Sequence, residues 1–243
     1  MLLSDEAKSR YSEYRQDLEE LEASLRRYEE RFVRTFTPAD TGPLSTDDKA
    51  VVLSLGAFAS ARQLGWSMVH AINGSLAPAL FLATRAHYEV TGLVAYLLIR
   101  LRKYRAGQLS GQEFDTLLNR LNLGRLHGIE QLDRELVEQV QALPVGKLVA
   151  AVDELTALPE PHRDMFKDSW RWLSEFCHPN SFSRMAAGSQ LRGRTMVFDP
   201  EPNLTPAEVS VAVGHGTLSH AMFFEYFDEV TRLCARNPTG GAG

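Results

Sequence analysis

Cysteine is scarce in this sequence. The 243 residues include two cysteines, Cys177 and Cys234, and neither belongs to a CxxC pair. A disulfide scaffold and a thiol metal or redox motif are therefore both excluded. This cysteine usage fits a reducing compartment, and the sequence predicts a cytoplasmic protein.

A long apolar run without charges is also missing. The most apolar stretch, 76–99, contains Arg85, His87 and Glu89 near its centre. Charged side chains at the middle of a membrane helix cost roughly 2.5–3.5 kcal/mol each. The first charged residue, Asp5, follows only four residues, which is untypical of a signal peptide. We therefore expect neither a membrane span nor export.

The familiar catalytic motifs do not occur. The sequence has no glycine-rich phosphate loop, no HExxH and no GxSxG. His215 and His220 have a poor spacing for a shared metal, and no acid or cysteine nearby completes a ligand set. The sequence thus predicts no metal and no cofactor, and it leaves open whether the chain is an enzyme.

Helical periodicity is what the sequence does have. Apolar residues recur at spacings of three and four within residues 1–36 and predict a long N-terminal heptad helix. They are Tyr11, Tyr14, Leu18, Leu21, Leu25, Tyr28 and Phe32. Such a stripe packs against another helix of the same chain or against a second copy, and we expect a homodimer.

The rest of the chain continues this pattern with one interruption. Thr195 to Phe198 is rich in β-forming residues, and with the glycines around it predicts a short hairpin within 183–202. Thr205 and Pro206 mark the start of a last helix that extends to about residue 236, before a disordered tail at 237–243. Other helices are predicted over about 47–72, 77–104, 112–121 and 162–177, with shorter ones over 130–158 interrupted at 144–146.

The predicted fold class follows from these elements. It is all-α, a helical bundle with a long N-terminal helix and a short β-hairpin inserted before the last helix. A net charge of −5 with 44% apolar residues fits one globular domain. Any nucleic-acid site on such an acidic chain must be local.

Two groups of polar residues occur in otherwise apolar helices. Arg85 and Glu89 are four residues apart, so they are neighbours on one helix face. They form either an internal ion pair or part of a binding site, because a buried charge is costly unless paired. Arg171, Ser174 and His178 share a face between apolar flanks, and we expect them to point into the molecule. The sequence predicts one polar pocket formed by both groups.

Basic residues cluster in two places that could contact RNA or phosphate. Ordinary solvated surface is the alternative for both. The first cluster is Arg100, Arg102, Lys103 and Arg105, and the second is Arg184, Arg192 and Arg194.

Two short motifs carry a family resemblance. ThrArgAlaHisTyrGlu at 84–89 lies in an apolar helix, and TrpLeuSerGluPheCysHisProAsn at 172–180 ends a later one. The pair resembles a group of uncharacterised bacterial proteins with a HEPN-like helical bundle, over residues 47–236. The resemblance implies a binding pocket made by Arg85, Glu89, Ser174, His178 and Asn180.

The resemblance also implies a chemistry. HEPN proteins that act as RNases use an arginine and a following histidine at a dimer interface, without a metal. Here these residues would be Arg171 and His178, with Trp172 in a place where that pattern prefers a polar residue. The histidine would move the 2′-hydroxyl proton, and the arginine would stabilise the charged transition state.

Two functions are therefore predicted. The first is a non-catalytic binding or assembly module, in a bacterial stress or defence system, whose pocket is structural or holds a small polar or nucleotide ligand. The second is a metal-independent endoribonuclease that acts across a homodimer.

Overall fold

The computed structural model describes residues 2–38, 42–123, 143–178, 189–198 and 204–235. Over these ranges the chain is an all-α bundle, as the sequence predicts. Its helices are α1 (Asp5–Arg10), α2 (Arg15–Arg31), α3 (Thr46–Asn73), α4 (Ala77–Arg105), α5 (Gly111–Leu123), α6 (Val145–Thr156), α7 (Met165–Cys177) and α8 (Pro206–Cys234). Strands β1 (Ser189–Arg192) and β2 (Thr195–Phe198) pair antiparallel between α7 and α8.

Helix α4 lies at the centre of the bundle. It is apolar on most sides and packs against α3, α6, α7 and α8, as a helix without a polar face must. Gly92 lets α6 approach closely, because a Cβ there would lie 2.8 Å from the Leu148 carbonyl carbon. Among the described residues, no helix combines the length and apolar character that crossing a bilayer requires.

The N-terminal helix differs from the prediction, because it is divided. Residues Ser12–Tyr14 form a 3-10 turn between α1 and α2. At this turn the Tyr11 hydroxyl donates to the Leu204 carbonyl at 3.0 Å, a long-range contact that local periodicity does not encode. The stripe residues Leu18, Leu25 and Tyr28 are buried within the chain. The stripe was predicted to pack either against another helix of the same chain or against a second copy. The structure shows it packed within the same chain.

Capping residues fix several helix boundaries. Ser45 with Asp48 forms a capping box at α3, and Thr205 with Glu208 forms one at α8. Helix α7 begins at Met165, later than predicted, because the Asp153 carboxylate accepts the N–H groups of Phe166 and Lys167 at 2.8 and 3.0 Å. The predicted helical stretch 130–142 and the tail 237–243 lie outside the described residues.

A buried polar chain joins α2, α4 and α8. Tyr28 Oη lies 2.9 Å from His87 Nε2, and His87 Nδ1 lies 2.8 Å from Ser219 Oγ. Thr91 Oγ1 lies 2.9 Å from the same Ser219 oxygen. Because buried polar groups are costly unless they are paired, these bonds fix the three helices in one register.

His220 lies beside this chain without joining it. Its ring centroid is 4.2 Å from that of His87, and neither of its ring nitrogens has a hydrogen-bond partner. Burial lowers the pKa of His220 to about 3. Burial also lowers the pKa of His87 well below its ordinary value, and the neighbouring His220 contributes to that shift. Both rings are therefore neutral at neutral pH.

These histidines make the fold sensitive to acid. Their pKa values are lower in the folded chain than in the unfolded chain, so their full stability is present above about pH 6.5 and is lost as the pH falls. Below that pH each histidine removes about 1.4 kcal/mol per pH unit from the free energy of unfolding. His220→Phe should remove one of these contributions and leave a shallower pH dependence, measured by urea unfolding between pH 7 and pH 4.

The comparison variant is His87→Phe, which removes the other of these histidines and also breaks the bonds to Tyr28 and Ser219. We expect it to destabilise the protein by about 1–3 kcal/mol at neutral pH because the buried Tyr28 hydroxyl loses its hydrogen-bond partner, whereas Ser219 keeps its contact with Thr91. An unchanged pH dependence in the His220→Phe variant would contradict the assignment.

Candidate functional site

Helix α7 presents four distinct sides. Phe166 and Leu173 face the core, where the Phe166 ring stacks on Tyr88 with centroids 4.1 Å apart. Successive residues on a helix are turned by about 100°, which places Asp168, Arg171 and His178 on the outer side. The Arg171 side chain is 59% exposed and pairs with Asp168 at 3.0 Å. The predicted inward orientation of Arg171 and His178 is therefore wrong.

Ser174 lies between the outer side and the α4 side of α7. It is buried, and its hydroxyl donates to the Trp170 carbonyl of its own helix at 2.8 Å. His178 follows the last residue of α7 and is exposed, and its N–H donates to the Ser174 carbonyl at 3.2 Å. Asn180 lies outside the described residues.

Arg85 and Glu89 meet α7 on its α4 side. They form an ion pair at 3.1 Å with side chains 26% and 30% exposed. The Trp170 indole N–H donates to Glu89 at 3.0 Å, and the Arg85 guanidinium lies 5.6 Å from the Trp170 ring centroid. Burial raises the pKa of the nearby Cys177 thiol, and Arg85 opposes that shift. This arrangement matches the internal ion pair, one of the two predicted alternatives.

The basic run on α4 is largely occupied by acids of neighbouring helices. Arg102 donates to Glu229 at 3.0 and 2.7 Å, and Arg105 pairs with Asp47 at 2.8 Å. The Arg100 guanidinium lies 4.8 Å from the Tyr96 ring centroid. These pairs leave less positive charge for RNA than the sequence suggests.

The structure describes only some of the other residues that were predicted to contact nucleic acid. Lys103 is partly exposed, and Arg194 is exposed in the turn between β1 and β2. Arg184 and the side chain of Arg192 lie outside the described residues.

A groove lies on the side of α7 away from Arg85 and Glu89, and the site predicted from the sequence does not include it. It has a volume of about 310 Å³, and we call it the α7–α8 groove. Its lining residues are Pro161, His162, Met165, Asp168, Ser169, Trp172 and His215. The spacing of Met165, Ser169 and Trp172 is that of one helix side, which is the signal that could have revealed it.

Trp172 is the largest exposed side chain of the groove. The residue is 41% exposed. The ring is held by Phe176, Phe81 and His215, with centroids 4.7, 6.2 and 5.7 Å away. The tryptophan is therefore both accessible and fixed in orientation.

His215 provides a polar edge beside this ring. The Tyr88 hydroxyl lies 2.9 Å from His215 Nδ1, and burial lowers the pKa of His215, so that the ring is neutral at neutral pH. Burial raises the pKa of Tyr88, so its hydroxyl keeps its proton. Nδ1 is thus occupied, while Nε2 has no partner among the described residues.

A second groove, of about 290 Å³, is less suited to bind a ligand. Its Asp47 already pairs with Arg105, and burial raises the pKa of its Cys234 thiol to about 11. Within the described ranges, no three His, Cys, Asp or Glu side chains come together as metal ligands. Of these two grooves, the α7–α8 groove is the better candidate site.

Comparisons with known proteins give no match. No family model matches the chain, and neither a curated protein nor a solved structure does.

Substitutions of Glu89 separate its two interactions. Glu89→Gln keeps an oxygen for the Trp170 indole but removes the charge that faces Arg85. It should cost less than about 1 kcal/mol because this ion pair is partly solvated. Glu89→Leu also leaves the indole N–H without an acceptor and should cost about 2–3 kcal/mol. Equal losses in urea unfolding would show that the stabilisation comes from the charge of Glu89 and not from its hydrogen bond to the Trp170 indole.

Proposed function

We propose that this protein is a HEPN-like, non-catalytic binding module that holds a small planar ligand of the nucleobase type in the α7–α8 groove. The observation that carries the proposal is Trp172, an indole that is exposed to solvent and yet fixed by three neighbouring rings. A fixed, accessible indole face is a stacking surface for another flat ring.

The size of the groove limits the ligand. Small-molecule sites have volumes of about 300–1,000 Å³. At about 310 Å³ the α7–α8 groove is at the lower end of that range. One ring system with a few substituents fits such a space, and stacking on an aromatic side chain contributes about 1–3 kcal/mol per base.

The polar groups of the groove favour binding over catalysis. A serine nucleophile needs a base within hydrogen-bond reach. His215 Nδ1 contacts Tyr88 and not Ser169, so the described residues of the groove contain no serine–histidine pair. Asp168 and His215 instead offer hydrogen bonds to the edge of a bound ring, while Ser169 already interacts with the Tyr88 hydroxyl.

The wider role comes from the resemblance to HEPN-like proteins. It supports a homodimer and a function in a bacterial stress or defence system. Since the heptad stripe of α2 is buried within the chain, a homodimer would use another surface.

Tryptophan fluorescence tests the binding proposal. The chain has three tryptophans, so the double variant Trp66→Phe, Trp170→Phe isolates the signal of Trp172. We expect AMP, GMP, CMP or UMP to quench this signal in a saturable way, because a stacked base contacts the indole directly. Trp172→Leu should weaken binding, measured by calorimetry, by roughly tenfold or more.

Trp170→Leu is the matched control for that measurement. It removes an indole of the same helix on the Glu89 side and should leave nucleotide affinity unchanged. Absence of quenching by all four nucleotides, or equal affinity of the Trp172→Leu variant and wild type, would contradict the proposal.

A metal-independent endoribonuclease is the second candidate. The observation that favours it is the exposure of both Arg171 and His178, which RNA could reach. Seven residues of helix span about 10.5 Å, so the two side chains would have to converge on one phosphate or act across a dimer.

Cleavage of total RNA in EDTA tests the second candidate. If it is correct, purified wild-type protein cleaves RNA, and folded Arg171→Ala and His178→Ala variants lose the activity. Arg163→Ala, which alters an exposed arginine just before α7, should retain it. Cleavage that persists in all three variants would point to a contaminant, and absence of cleavage by wild type would leave the binding module.

A further inference from the structure

Asp168 gives the α7–α8 groove a chemical preference. Its Oδ1 accepts from Arg171 at 3.0 Å, while its Oδ2 has no hydrogen-bond or ion-pair partner among the described residues. Asp168 lies one helical turn before Trp172, so carboxylate and indole are neighbours on the helix surface. A ring stacked on Trp172 would therefore have a negatively charged acceptor at its edge.

The nucleobases differ in what they present to such an acceptor. An ionised carboxylate only accepts hydrogen bonds, and it has two oxygens with which to do so. Guanine has two N–H donors side by side, at ring N1 and at the exocyclic amino group. Adenine and cytosine place an amino group next to a ring nitrogen without hydrogen, and uracil places its N–H between two carbonyls. Guanine is the best complement.

His215 can bind the acceptor atoms of guanine, as Asp168 can bind its donors. In the Nε2–H tautomer of the neutral ring, in which the Tyr88 hydroxyl donates to Nδ1, His215 can donate a hydrogen bond from Nε2. The O6 and N7 atoms of guanine are acceptors. The groove thus combines a stacking surface, a charged acceptor and a neutral donor.

We infer that the α7–α8 groove selects guanine, stacked on Trp172 with its N1 and amino N–H groups donating to Asp168. The inference rests on the proposed binding function and names its ligand class. Arg171 acts as a positioning residue, because its bond to Oδ1 orients the carboxylate while Oδ2 stays open.

Comparison of GMP, IMP and AMP tests the inference on the full chain. IMP differs from GMP only in lacking the amino group, and AMP also lacks the N1 hydrogen. We expect GMP to bind roughly tenfold more tightly than either, since a hydrogen bond to a charged group is being lost. In the Asp168→Asn variant the preference for GMP over IMP should fall to within about twofold. Asp164→Asn, an exposed acid outside the groove, is the control that keeps the preference.

The outcomes separate the two proposals. Nucleotide binding that depends on Trp172 but shows no preference for GMP overturns the guanine assignment and leaves the binding module. Absence of binding by all three nucleotides overturns both. A GMP preference that survives in Asp168→Asn also overturns the assignment, and circular dichroism establishes that this variant is folded.

A second arm distinguishes free nucleotide from RNA as the source of the base. The probes are the pentaribonucleotides UUGUU and UUAUU, compared with GMP. Selection of UUGUU with higher affinity than GMP assigns the guanine to an RNA strand, and equal or weaker binding than GMP assigns it to the free nucleotide. Equal affinity for UUGUU and UUAUU, together with equal affinity for GMP and IMP, contradicts the inference.

Discussion

The hydrogen-bond chain from Tyr28 through His87 to Ser219 is the constraint on which the rest of the bundle depends. It joins α2, α4 and α8 inside the core, where an unpaired polar group would cost about 1–3 kcal/mol. A shift of α4 along α8 would break it, so the two helices have one register. Tyr88, the residue after His87, points to the other side and contacts both Phe166 and His215. The core chain therefore also determines where α7 and the α7–α8 groove form.

The two sides of α7 have different uses because their polar groups are satisfied to different degrees. On the α4 side, Glu89 bonds Arg85 and the Trp170 indole, so the charges are compensated and the contact holds two helices together. On the other side, Trp172 is exposed, and the open oxygen of Asp168 and Nε2 of His215 have no partner among the described residues. A ligand can bind to polar groups that are held in place and have no hydrogen-bond partner in the protein. For this reason the proposed binding site is the α7–α8 groove.

Local signals predicted much of the fold and little of the site. The capping residues of α3 and α8 and the apolar character of α4 are encoded within a few residues, and those helices lie where the sequence predicts them. At the division near Tyr11 the tyrosine hydroxyl contacts Leu204, far along the chain, and local periodicity does not encode such a contact. The predicted inward orientation of Arg171 and His178 was wrong because aromatic residues occur on most sides of α7. Periodicity alone therefore does not identify which side of this helix is buried. The contact of Trp172 with His215 joins two helices, and no spacing within either helix encodes it.

His215 and His220 show how the core and the groove are connected. Both belong to α8, but His220 is sealed beside His87, whereas His215 contacts Tyr88 at the edge of the groove. The pairs His87–His220 and Tyr88–His215 therefore join the same two helices, through consecutive residues of α4 and residues five apart on α8. A ligand that binds beside His215 only when α4 and α8 are packed stabilises that packing by RT ln(1 + [L]/Kd), about 2.7 kcal/mol at a hundred times Kd. Protonation of the core histidines favours separation of the same helices. Acid and ligand should thus oppose each other at the contact of α4 with α8.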